Sequence, residues 1–81
     1  MTTKEKLLAA IRNNPKAVRF EDACRVARLL GFTYTSGEGS HRVFKRKGEP
    51  VILNFQNRKG LIPAYQARQL FAMMLKCESE T

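Results

Sequence analysis

The chain has 81 residues, of which 15 are Lys or Arg and seven are Asp or Glu, so its formal net charge is +8. This length allows one domain with a single modest core and excludes a second independent domain. The positive charge favours polyanionic partners, nucleic acid first and an acidic protein second. No apolar stretch approaches the roughly 20 residues of a membrane span, and the opening segment lacks the apolar run of a signal peptide, so we expect a cytoplasmic protein.

The first half of the chain carries two helical patterns. Thr2 and Glu5 have the spacing of a capping box, and leucine and isoleucine then recur at helical spacing, which predicts a short helix over 3–13. The second pattern begins at Phe20, has acidic residues in its first turn, and ends at Gly31. Glycine commonly follows the last turn of a helix, so this pattern predicts a second helix over 20–30.

After the second helix the pattern changes to that of β-strands. Residues 32–36 "FTYTS", 41–46 "HRVFKR" and 51–55 "VILNF" are rich in β-branched and aromatic side chains, and glycine-containing turns separate them. They predict a three-stranded antiparallel meander. Pro63 suits the first position of a last helix with an apolar stripe, and residues 77–81 are expected to be frayed.

The order of these elements predicts an α+β two-layer sandwich in which amphipathic helices cover one face of the sheet. Side chains alternate along the second strand, so His41 and Lys45 share one face and Phe44 lies on the other. We expect Phe44 to point into the core and His41 to reach the rim, because the larger apolar residue gains more from burial. The whole chain, 1–81, forms one domain.

His41 is the first candidate for chemistry because it is the only histidine in the chain. An imidazole, with an ordinary pKa of about 6.5, both accepts and donates protons near neutral pH. Its neighbours Gly37 and Gly39 allow a ligand to approach the backbone closely, and Ser40 adds a hydroxyl donor. This corner suits a phosphate group.

Basic residues on both sides of the third strand are the candidates for phosphate binding. With a net charge of +8, phosphate contact is a better interpretation of these residues than solvated turns. The predicted RNA-binding residues are Arg42, Lys45, Arg46, Lys47, Arg58 and Lys59. The start of the last helix would add backbone N–H groups near the last two, and Tyr65 there either stacks on a base or covers the core.

The carboxylates are scattered and Cys24 and Cys77 stand alone, so we expect two free thiols, no metal site and no cofactor. RNA carries its own nucleophile in the 2′-OH, whereas DNA has none. A general base and a cationic group that stabilises the crowded phosphate would therefore cleave RNA without metal. His41 would serve one proton transfer, and Lys45, Lys59, Tyr65 or water the other.

These elements, in this order, resemble the HicA toxin family over about residues 20–76. The residues that carry the resemblance are "LLGF" at 29–32, "GSH" at 39–41, the basic strand "RVFKR", the strand "VILNF", and a loop with Gly60 that leads to Pro63 and a helix. The resemblance implies the fold of double-stranded RNA-binding domains. It also implies an mRNA interferase of a type II toxin-antitoxin system, with His41 as the catalytic histidine, Gly39 and Ser40 in the active-site corner, and a HicB-like antitoxin covering the site. We expect the free toxin to be a monomer.

Two features depart from the family pattern. The helix at 3–13 is an addition, and the loop after the third strand has Gln56 or Asn57 where many relatives carry a histidine. The main alternative is an RNA-binding module without catalysis, since double-stranded RNA is recognised largely by shape and backbone. A winged-helix DNA-binding protein would need a polar recognition helix, and residues 20–30 offer only Arg25 and Arg28.

Overall fold

We describe the fold from a computed structural model, which describes residues 3–14 and 16–79, with side chains for 6–14 and 16–77. In chain order the elements are α1 (Thr3–Asn13), α2 (Phe20–Leu29), β1 (Thr33–Ser36), β2 (His41–Lys45), β3 (Leu53–Gln56) and α3 (Ala64–Ser79). The predicted order of helices and strands is confirmed. The capping box predicted for Thr2 and Glu5 lies outside the described side chains. None of the described helices is long and apolar enough to cross a membrane.

The boundaries of the last two elements differ from the prediction. Strand β3 begins at Leu53, two residues later than expected, and α3 begins just after Pro63, whose carbonyl accepts the N–H of Ala67 at 3.1 Å. Residues 77–79, which were expected to be frayed, belong to α3, which continues through Ser79, and 80–81 lie outside the described residues. A contact from the β2–β3 turn reaches this last turn of the helix: Arg46 donates a hydrogen bond to the Sγ of Cys77 at 3.2 Å.

The three strands form one antiparallel sheet in the order β1-β2-β3. In the register of β2 with β3, His41 lies opposite Gln56 and Phe44 lies opposite Leu53. On the other side of β2, Tyr34 lies opposite Phe44, and a bulge follows Tyr34 in β1. The sheet is therefore the predicted meander, and β1 and β3 are its edges.

One face of the sheet and the helices enclose the core. Phe44 is completely buried, together with Leu53 and Phe55 of β3, whereas His41 is exposed, which confirms the predicted orientation of β2. Helices α2 and α3 both pack against β3, and α2 also packs against β1. The additional helix α1 packs on α2 and α3 and buries Ile11. The chain is thus an α+β protein with an open three-stranded antiparallel sheet.

A buried glutamine joins the edge strand β3 to helix α3. Gln66 is only 3% exposed, and its Oε1 accepts the backbone N–H of Gln56 at 2.8 Å. Its Nε2 donates to the hydroxyl of Tyr65 at 3.3 Å. Gln66 therefore accepts a backbone N–H that an edge strand would otherwise leave without a partner. This N–H belongs to Gln56, which lies opposite His41 on the neighbouring strand.

We predict that Gln66→Leu lowers the free energy of unfolding by about 1–3 kcal/mol, because the N–H of Gln56 loses its acceptor in a partly buried position. Urea unfolding followed by circular dichroism measures this loss. Gln69→Leu, on an exposed position of the same helix, is the matched control and should have little effect. Equal losses in the two variants would contradict the role assigned to Gln66.

A second contact fixes the β2–β3 turn to α3. The ammonium group of Lys76 donates to both carboxylate oxygens of Glu49, at 2.9 and 2.7 Å. This hydrogen bond is the main reason that the pKa of Glu49 is lowered from its ordinary value. A carboxylate with a lowered pKa in the folded state stabilises the fold above its unfolded pKa, and the effect is lost as the pH falls through the folded pKa.

We therefore expect Glu49→Gln to unfold at lower urea concentration than the original protein at pH 7, and this difference to shrink as the pH falls through the lowered pKa of Glu49 in the folded state. Paired urea titrations at pH 7 and pH 3 measure it. High salt at pH 7 should shrink the difference, because the Lys76 side chain is about half exposed. A difference that persists unchanged at pH 3 would rule out the ion pair as its cause.

Candidate functional site

His41 lies at the start of β2, in a corner that backbone hydrogen bonds hold on two sides. Its own N–H donates to the carbonyl of Glu38 at 3.0 Å, which closes the turn that leads into the strand. The carbonyl of Ser40 accepts the N–H of Asn57 at 2.7 Å, which ties the corner to the loop after β3. The exposed imidazole thus stands on a backbone that is fixed before and after it.

The two glycines of this corner have different roles. Gly37 has a φ of +144°, and a Cβ there would overlap the carbonyl oxygen of His41 and lie 2.9 Å from the Cα of Arg42. The space beside Gly37 is therefore taken by the protein's own strand and is not left for a ligand. Gly39 has a φ of +58° and no atom within 4 Å of the position of a Cβ, so open space lies beside Gly39.

Two neighbouring clefts open at this corner. The first, which we call the histidine cleft, has a volume of about 320 Å³ and is lined by Arg28, Tyr34, Gly37, Gly39, His41 and Arg42. The second, which we call the arginine cleft, has a volume of about 400 Å³ and is lined by Phe20, Glu21, Cys24, Arg25, Arg28, Gly39, Arg42 and Asn57. Arg28, Gly39 and Arg42 line both clefts, so the two clefts are adjacent.

Aromatic rings hold two of the arginines in these clefts. Arg42 lies next to His41 in β2 but on the helix side of the sheet, where its guanidinium carbon is 5.5 Å from the ring centroid of Phe20 and 6.0 Å from that of Tyr34. The guanidinium of Arg28 lies 6.0 Å from the ring centroid of Phe44. Cation–π contacts of this kind orient a guanidinium without neutralising its charge.

The predicted basic residues fall into two groups. Arg42 lies at the His41 end of the sheet. Arg58 and Lys59 follow β3, whose Gln56 is opposite His41, so they lie near the same end. The side chain of Arg58 donates to the Oε1 of Gln56 at 3.3 Å.

The second group, Lys45, Arg46 and Lys47, lies at the far end of β2. Lys45 is four residues along the strand from His41, a distance of about 13 Å at the usual rise per residue. Arg46 is directed to Cys77 of α3 by the hydrogen bond to its sulfur. The structure therefore does not bring these three residues together with His41.

The candidates for the second proton transfer also lie at different places in the fold. Lys45 lies with the far group, whereas Lys59 lies in the loop at the His41 end, where it has a positive φ of 54°. Tyr65 is 51% exposed, and its hydroxyl accepts a hydrogen bond from the buried Gln66. Water is available throughout, since His41 is exposed.

Arg25, Arg28 and Tyr34 are among the residues of the clefts that were missing from the predicted site. Residues 21, 25 and 28 of α2 have helical spacing and share one face of the helix, which was a signal available in the sequence. Nothing in the sequence placed that helix face beside the start of β2. Tyr34 faces the clefts because it lies opposite Phe44 in the sheet register.

Cys24 lines the arginine cleft but remains a protonated thiol. It is 3% exposed, and burial raises its pKa even though the charges of Arg42 and Arg28 act in the opposite direction. A thiol of this kind is a poor nucleophile, so Cys24 belongs to the core, as predicted. Within the described residues, no group of three His, Cys, Asp or Glu side chains is arranged to hold a metal ion.

The different surroundings of Gly37 and Gly39 predict different losses of stability on substitution. Gly39→Ala should lower the free energy of unfolding by about 1–2 kcal/mol, because only the left-handed backbone opposes it. Gly37→Ala should cost about 3 kcal/mol or more, since the backbone of His41 and Arg42 must also move. Urea unfolding of both variants measures the difference. A smaller loss for Gly37→Ala than for Gly39→Ala would contradict this account of the corner.

Comparison of the chain with protein-family models, with curated proteins and with solved structures gives no match. The likeness to HicA toxins rests on the order and type of the motifs alone.

Proposed function

We propose that this protein is a metal-independent endoribonuclease, the toxin of a type II toxin-antitoxin system, with His41 as its proton-transfer residue. The observation that carries the proposal is the position of the histidine. His41 is exposed and lines the histidine cleft together with Arg28 and Arg42. A proton-transfer group and cationic residues at one cleft are what cleavage of RNA by its own 2′-OH requires.

The reaction follows from RNA chemistry. The 2′-oxygen attacks the neighbouring phosphorus, the bond to the 5′-oxygen breaks, and the products carry a 2′,3′-cyclic phosphate and a 5′-hydroxyl group. His41 either accepts the proton of the 2′-OH or donates one to the leaving oxygen. Arg42 and Arg28 stabilise the negative charge that builds up on the phosphate oxygens. A second group, Lys59 or water at this end of the sheet, completes the proton balance.

The wider proposal follows the resemblance to HicA toxins. The fold is of the double-stranded RNA-binding type, with α1 added before the helix-sheet-helix core. The protein acts on mRNA in the cytoplasm, is a monomer when free, and is neutralised by a HicB-like antitoxin that covers His41. The order of elements α2, β1, β2, β3 and α3 supports this fold assignment.

The test is incubation of the purified protein and of His41→Ala with RNA, in the presence of EDTA. We expect the original protein to cleave in EDTA and His41→Ala to lose activity by at least about 100-fold, the usual contribution of a general acid or base. Asn54→Ala, an exposed position on the same sheet face, is the control and should cleave normally.

Three outcomes would contradict the proposal. Loss of cleavage in EDTA would show a metal-dependent reaction. Equal cleavage by the original protein and His41→Ala would remove the histidine from the mechanism. RNA binding without cleavage by the original protein would instead favour the alternative, a non-catalytic RNA-binding module.

A further inference from the structure

We propose that the arginine cleft, with Tyr34 at its side, is a subsite for an unpaired nucleotide next to the bond that His41 cleaves. Arg25, Arg28 and Arg42 bind the phosphate of this nucleotide, and the ring of Tyr34 stacks on its base. The inference rests on the proposed function, and it names residues outside the site that the sequence predicted.

The charge of the cleft favours an anion. Three arginines line it together with one carboxylate, Glu21. Among the described residues, Arg25, Arg28 and Arg42 form no salt bridge, so their charges are not neutralised by a fixed partner. Guanidinium groups bind phosphate oxygens in a bidentate way that a lysine does not reproduce.

The geometry of the cleft is also that of a binding site. Its volume of about 400 Å³ lies within the range of sites for small molecules. The guanidiniums of Arg28 and Arg42 are already oriented by the rings of Phe44, Phe20 and Tyr34, so less side-chain entropy is lost when a phosphate binds. Gly39 leaves open space at the junction with the histidine cleft.

Tyr34 supplies the surface for a base. It is 49% exposed, and its ring is held by an edge contact with Phe44 and by a hydrogen bond from its hydroxyl to the carbonyl of Gly37 at 3.1 Å. A fixed, half-exposed tyrosine beside a basic cleft is typical of sites that stack single-stranded bases. A base inside a duplex is already stacked on both faces, so Tyr34 would select an unpaired nucleotide.

The two clefts are adjacent and share Arg28, Gly39 and Arg42 as lining residues, which sets the position of the nucleotide. A strand that places its scissile phosphate at His41 would place the adjoining nucleotide over these shared residues. The cleft therefore acts on the substrate of the proposed reaction and favours a single-stranded segment of RNA over a duplex.

The binding test uses a fluorescent 2′-O-methyl RNA, which cannot be cleaved through its 2′-oxygen, as a single strand and as a duplex of the same sequence. Fluorescence anisotropy over a range of salt concentrations gives the affinity and its salt dependence. We expect the single strand to bind more tightly than the duplex. Arg28→Ala and Arg25→Ala should each weaken single-strand binding about tenfold and reduce the slope of log K against log salt by about 0.7.

Arg68→Ala is the matched control, because Arg68 lines a separate apolar groove with Arg12, Phe71 and Leu75 and carries the same charge. It should change affinity and slope much less than Arg28→Ala. Equal effects of Arg25→Ala, Arg28→Ala and Arg68→Ala would overturn the subsite and indicate attraction by overall charge only. Thermal unfolding of each variant checks that the fold is intact.

Tyr34 is tested by a pair of substitutions. Tyr34→Phe keeps the ring and should bind the single strand nearly as well as the original protein, whereas Tyr34→Leu should weaken binding about tenfold. Ile52→Ala, at an apolar side chain of similar exposure that lines neither cleft, should have little effect. If Tyr34→Leu binds the single strand as tightly as the original protein, or if the original protein binds single strand and duplex equally well, the proposed stacking on Tyr34 is overturned.

The failure of this inference and that of the proposed function are distinguishable. The binding measurements use RNA that cannot react, so they do not depend on the role of His41. Normal cleavage by His41→Ala would overturn the catalytic proposal and leave the subsite result standing. Cleavage that depends on His41, with no effect of Arg25→Ala and Arg28→Ala on single-strand binding, would support the catalytic proposal and overturn the subsite.

Discussion

The burial of Phe44 in the centre of β2 determines the layout of the candidate site. Its ring is completely buried and contacts the rings of Tyr34 and Phe55. Since side chains alternate along a strand, burial of Phe44 also directs Arg42 to the helix side of the sheet and His41 to the opposite face. A shift of one residue in the register would exchange these positions and bury the imidazole side of the strand, which carries only Val43 as an apolar residue.

The corner where His41 stands is built from contacts within its own turn and from contacts with the loop after β3 and with α3. Gly37 gives room to the carbonyl of His41, Asn57 donates to Ser40, and Gln66 of α3 satisfies the backbone of Gln56 across from the histidine. Each of these contacts is a backbone contact or ends on backbone. They fix the position of the strand end while the imidazole and the arginine side chains stay accessible, which is the combination that a binding or catalytic site requires.

The basic residues of the chain do not form one surface. Arg25, Arg28 and Arg42 line the arginine cleft. The other group, Lys45, Arg46 and Lys47, lies at the other end of the sheet, next to the contacts that hold the β2–β3 turn on α3. Net charge alone does not distinguish these groups, because long-range attraction to a polyanion depends on all of them. Only the first group lines the two clefts at the His41 end of the sheet.

The sequence by itself determined the order and type of the elements, the antiparallel meander and the inward orientation of Phe44, because periodicity, turn residues and side-chain size act locally. It also singled out His41 and its glycine corner. The tertiary structure decided which arginines join that histidine. Arg28 lines the cleft of His41, and Arg25 the adjacent cleft, only because α2 packs across β1 and β3. Lys45 to Lys47 are excluded only because β2 carries them away from its start. Such pairings between distant segments depend on how helices and strands pack. Local sequence patterns do not show which distant residues become neighbours in space.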